Sequence, residues 1–99
     1  MPSISSIALS GMNAAQAQME VAAGNVANAQ TEGYQRRALQ QSPQPDGGVS
    51  TQVVVAARQE PALAADMVAQ LQAKNAFLAN LAVFKTGNAM AGALLDKKA

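Results

Sequence analysis

Seven residues near the start of the chain, Ala8, Met12, Ala15, Met19, Ala22, Val26 and Ala29, follow one another at intervals of four, three, four, three, four and three. A repeat averaging about 3.5 residues keeps one line of side chains turned toward a neighbouring helix along its whole length. Every second member is Ala, so the seam is narrow and coiled-coil-like. Residues 3–30 contain no proline and are rich in Ala, Gln and Met, which lose little rotamer freedom in a helix. The opposite face carries Asn13, Gln16, Glu20 and Asn28, and Ser3, Ser5 or Ser6 supplies an N-cap. Gly24 weakens the helix by about 1 kcal/mol relative to Ala, which predicts a bend or an early end nearby.

A second helix is predicted from Pro61 to about Leu95, with Pro in the first turn, Asp66 where the helix dipole favours an anion, and Lys97 and Lys98 at the far end. Leu63, Met67, Leu71, Leu78, Leu81, Leu94 and Leu95 form one apolar stripe, and Val68, Phe77 and Phe84 widen it to a second contact face. Two faces imply more than one neighbour. Lys74, Lys85 and Asn88 fall on or near the narrow seam and act as polar register positions. Between the helices, Thr31-Glu32-Gly33-Tyr34 breaks the pattern, with Gly33 supplying positive φ. Residues 34–41 and 49–57 then flank Ser-Pro-Gln-Pro-Asp-Gly-Gly, a reversal signal between β-favouring runs. A β-hairpin is predicted there, with an extended or disordered connector as the alternative. An isolated two-stranded hairpin is marginal in water and must lean on the helices or on another subunit.

Composition limits what such elements can build. Of the 99 residues, 49% are apolar, but 23 of those are Ala, leaving 26 larger apolar side chains. A chain of this length buries only some 60–65% of its unfolded surface, so a solitary monomer is marginal. Without Cys or His there is no disulfide, thiolate nucleophile, imidazole base or Cys/His zinc site. The six carboxylates show no pair at acid/base or metal spacing, and Ser3, Ser5 and Ser6 lack a base. No catalytic residue, cofactor, metal or small-molecule substrate is therefore expected. A net charge of +1 is too small for nucleic-acid affinity, and Tyr34 beside Arg36 and Arg37 does not alter that balance. No apolar run is long enough to cross a bilayer, and the first residues lack the basic and apolar regions of a cleaved signal.

The run LSGMNAAQAQMEVAAGNVANAQTEGYQRR, Leu9 to Arg37, closely resembles the N-terminal motif of flagellar basal-body rod and hook proteins. Leu9, Gly11, Met12, Ala15, Asn25, Ala27, Asn28, Thr31, Gly33 and Tyr34 carry the likeness. The segment from Glu60 onward resembles the C-terminal helix of the same family through Met67, Ala79, Asn80, Lys85, Thr86, Met90 and Leu94. Together the two stretches cover about two-thirds of the chain, in the family's order. Gly24 stands where the family has the first Asn of an Asn-Asn pair, Glu32 where its turn has Pro, and Gly87-Asn88-Ala89 where its helix is acidic. Only 23 residues, Ala38 to Glu60, separate the motifs, which makes this a minimal rod-type member.

The resemblance implies a non-enzymatic, self-associating subunit whose terminal helices pack on each other and on neighbours around a hollow axial structure. It implies itself or other flagellar axial proteins as partners, a place in the basal body in the periplasm, and export from the cytoplasm without a cleaved signal. The expected fold is mainly α: two long antiparallel terminal helices with a short β-hairpin or extended connector, divided as 1–33, 34–60 and 61–99. The expected subunit interface is Met12, Ala15, Met19, Ala22, Val26, Met67, Leu71, Phe77, Leu78, Leu81, Phe84 and Leu95. The expected motif turn is Asn25, Asn28, Thr31, Gly33 and Tyr34. The amide and hydroxyl side chains of that turn serve either intersubunit hydrogen bonds or the ending of a helix, since they compete for backbone bonds. The competing class is a free-standing regulatory module closing into a dimeric or tetrameric bundle.

Overall fold

The computed structural model describes residues 3–60 and 62–98, with side chains through Leu95. Helix α1 spans Ile4–Ala27, strand β1 Arg37–Pro43, strand β2 Val49–Val55 and helix α2 Leu63–Lys98. Ser3 is the N-cap of α1, its hydroxyl accepting from the Ser6 amide at 3.0 Å. Gly24 does not end the helix. Asn28 does: as C-cap it leaves the helical range at φ −107°, ψ 16°, and its backbone N–H makes the last bond of the helix, to the Gly24 carbonyl. Asp66 lies in the first turn of α2, as the dipole argument requires. Pro61, and the side chains of Lys97 and Lys98, lie outside the described residues.

The strands pair antiparallel in register from Arg37 opposite Val55 to Pro43 opposite Val49. The reversal between them closes through Gln44 N–H donating to the Gly48 carbonyl at 3.0 Å. The Pro-Asp-Gly-Gly signal thus produces an ordered hairpin with shorter strands than the sequence spans, because Tyr34 and Gln35 belong to the preceding turn.

Helix α1 is the middle layer. Its seam side faces α2, which runs antiparallel to it: Ser5 Oγ donates to Asn88 Oδ1 at 3.0 Å, and a Cβ built on Gly11 would sit 2.5 Å from Asn80 Oδ1. Its other side carries the hairpin, where the Val49 N–H donates to Ser10 Oγ at 3.1 Å and Asn25 holds Arg37. Among the described residues both α2 and the hairpin pack on α1, and neither packs on the other. Among the described residues the buried apolar ones are Ala8, Met12, Ala14, Ala15, Ala22 and Ala73, five alanines and one methionine. Small side chains let two backbones approach closely, and this closeness replaces the volume that large side chains fill in ordinary cores.

The result is a slab of 62 × 24 × 15 Å with a radius of gyration of 17.1 Å. A compact domain of this length has a radius near 13 Å. Its accessible surface of 7048 Å² exceeds the roughly 5,300 Å² usual for a folded chain of this mass.

Gly11 marks the tightest crossing of the helices. Gly11→Ala gains helix propensity yet displaces the Asn80 side chain, which donates to the Ala76 carbonyl at 2.8 Å. A net loss of about 1–2 kcal/mol is expected. In an Asn80→Ala background the same change should be neutral or stabilising. Urea denaturation of the four chains closes this double-mutant cycle, and equal losses in both backgrounds would place the close approach elsewhere.

Candidate functional site

The motif residues gather where α1 ends and the chain turns into the hairpin. Asn25 is 3% exposed. Its Nδ2 donates to the Arg37 carbonyl at 2.8 Å, while its Oδ1 accepts the Arg37 N–H at 3.0 Å and the Tyr34 hydroxyl at 3.3 Å. One side-chain amide thus pairs with both backbone groups of a residue, as a neighbouring strand would. Asn28 Nδ2 donates to the Gly24 carbonyl at 3.0 Å, and Thr31 Oγ1 donates to Asn28 Oδ1 at 3.3 Å. The Thr31 N–H donates to the Asn28 carbonyl and the Tyr34 N–H to that of Thr31, which winds the chain through Gly33 at φ 81°. The positive φ predicted at Gly33 is present although Glu32 stands in place of proline.

On the adjacent residue the pattern recurs. Gln59 Oε1 accepts the Arg36 N–H at 2.7 Å, and its Nε2 donates to the carbonyls of Ala56 at 2.8 Å and Arg36 at 3.3 Å. The Arg36 guanidinium reaches Asp66 through both terminal nitrogens, with Nη2 3.0 Å from Oδ1. Asp66 is 6% exposed, so the bidentate pair is largely withdrawn from water. Hydrogen bonding to Asp66 raises the Arg36 pKa above its already high ordinary value, against an opposing effect of burial. Among the described residues no buried side-chain nitrogen or oxygen lacks a partner, and none form a carboxylate cluster suited to a metal. The junction joins three elements and presents no reactive group.

The interface candidates separate into three environments. Met12, Ala15 and Ala22 are buried inside the single chain, so this stretch of the seam closes on its own α2 and is not open to another subunit. Met19, Val26, Phe77, Leu81 and Phe84 are half-buried. Phe77 and Phe84 follow Ala73 and Asn80 by four residues and flank the line that faces α1. Val68, predicted to share a face with them, is exposed. The aromatic rings therefore belong with the intrachain contact, and the Leu/Met stripe, Leu81 apart, is the outward one. Met67, Leu71, Leu78 and Leu95 are exposed, Leu71 by 59%.

Sequence reasoning missed Gln59, Ser10 and the pairing of Arg36 with Asp66. Those partners lie 23, 39 and 30 residues apart, so no local spacing signals them.

The described residues form a mainly helical protein with one β-hairpin. Residues 6–35 match the family model described as flagella basal body rod protein. The resemblance read from Leu9 to Arg37 is thereby supported over that span, about a third of the chain. That span contains all of α1 from Ser6 and the whole motif turn. The C-terminal likeness lies outside it. No curated protein matches the chain. The family is one of structural components located at the basal body, and no described helix is long and apolar enough to cross a membrane.

Asn25→Asp retains the acceptor but sets a carboxylate against the Arg37 carbonyl. A loss of about 2–3 kcal/mol is expected in urea denaturation, with faster amide exchange at Arg37. A loss under about 0.5 kcal/mol, the range of an ordinary surface change, would mean the clamp does not hold the hairpin.

Proposed function

We propose that the chain is a self-associating structural subunit of the flagellar rod type, whose α1–α2 pair packs against neighbouring copies or other axial proteins of a hollow structure. The observation that carries this reading is the outward Leu/Met stripe of α2. Leu63, Met67, Leu71 and Leu78 stand exposed at spacings of four, four and seven residues on a helix whose inward side is already occupied. Burying each such side chain against a neighbour contributes about 1.5–3 kcal/mol. A monomer in water leaves that unused, while a packed axial structure covers it. Narrow seams suit coiled-coil-like contact between helices, with Lys74 and Lys85 as polar positions that fix register. The likeness from Glu60 onward extends the rod reading to α2. On this reading the motif turn acts within the subunit, setting the angle at which the hairpin leaves the helix, and the protein takes its place in the basal body in the periplasm.

Sedimentation velocity over a wide concentration range is expected to show mass rising with concentration. Leu71→Glu with Leu78→Glu should keep the helical signal and weaken association at least about 100-fold, because each change sets a charge in a desolvated contact. Thr51→Glu, on the exposed hairpin, serves as the control. The same double variant should fail to enter basal bodies purified from the parent bacterium. A monomer at every concentration, with normal incorporation of the double variant, would overturn the reading.

A further inference from the structure

The exposed apolar residues of α2 include two groups on opposite flanks of the helix and toward opposite ends of it. Ala73, Asn80 and Gly87, each seven residues after the last, mark the line facing α1 through the tightest burial and the Gly11 and Ser5 contacts, and Asp66, seven before Ala73, continues it to the Arg36 ion pair. Met67 follows that line by one residue and Leu71 and Leu78 by five, so all three turn away from it in one rotational sense by roughly 100–150°. Val83 and Met90 follow it by three, which turns them about 50–60° in the opposite sense. There they meet Ile4 from the start of α1 and line an apolar cleft of about 280 Å³ floored by Gly87. Ile4 and Met90 are 65% and 64% exposed at its rim.

We infer that the cleft of one copy, Ile4, Val83 and Met90, receives the Met67, Leu71 and Leu78 ridge of the next, giving a head-to-tail contact. This rests on the self-association proposed above and names the surfaces that meet. The occupant is a second copy because of how much surface must be covered. The excess over an ordinary chain of this mass is on the order of 1,700 Å², about twice the roughly 800 Å² that one partner contributes to a standard interface. One closed, two-fold contact covers half of it. Two different contacts on each chain, a ridge given and a cleft filled, cover the whole. A ridge and a cleft on opposite flanks cannot both lie on one two-fold axis, so the association is heterologous and continues. Their centres lie some 15 residues apart on α2, so successive copies are offset by roughly 20 Å along the helix.

The chain has no cysteine, so introduced thiols are unique. Leu71→Cys and Met90→Cys are both surface changes on exposed side chains. Under mild oxidation of the full chain, mixing the two single variants should give a covalent heterodimer. Each alone should stay largely uncross-linked, and the Leu71→Cys/Met90→Cys chain should give a ladder of covalent oligomers. Efficient dimerisation of Leu71→Cys alone with no ladder from the double variant would overturn the head-to-tail contact in favour of a closed pair, leaving self-association intact. Absence of any cross-link in a chain that sediments as a monomer at every concentration would overturn both.

Discussion

Helix α1 has neighbours on two sides and only small side chains to offer either of them. That constraint explains why Ala8, Ala15 and Ala22 face α2 while Ala14 lies buried too, and why Met12 is the largest side chain in the buried apolar set. Contact comes from proximity of backbones, so polar groups at the crossings are held to short range and must be satisfied locally. Ser5 on Asn88, Ser10 on the Val49 amide and Asn25 on Arg37 all meet that need. A larger residue at such a crossing separates the layers, and separation weakens each of these bonds together.

The two amide clamps give the junction its stiffness. Asn25 and Gln59 grip the backbones of consecutive residues, and Arg36 adds a bidentate pair to the first turn of α2. The hairpin alone is too short to be stable in water. It is ordered because its first strand is pinned at Arg37 to one helix end while its far end is pinned at Val49 to Ser10.

Much of this was legible in the sequence, and the illegible part has a common cause. The 3.5-residue seam identified the α2-facing side of α1, Ser3 and Gly33 marked a cap and a turn, and Pro-Asp-Gly-Gly marked the reversal, because each is governed by neighbours within a few residues. The faces of α2 were harder. Its apolar residues encircle the helix, so periodicity alone does not say that Phe77 and Phe84 turn inward while Leu71 and Leu78 turn outward. What decides is where Gly11 permits approach, a tertiary fact. The amide clamps were equally hidden: Asn25 belongs to the motif, yet its partner is backbone twelve residues away, a group every residue possesses.

Because, among the described residues, the hairpin and α2 pack on α1 and not on each other, the molecule is divided into a pair of helices and a ribbon laid along one of them. Residues added in matched pairs at the Gln44–Gly48 reversal lengthen the ribbon beyond the Val49–Ser10 bond and leave the Asn25 and Gln59 clamps in place. The chain thus has a place where size can change in evolution while the ends of the polypeptide keep their packing. The same place is where a tag or reporter can be inserted with the least disturbance to the helices.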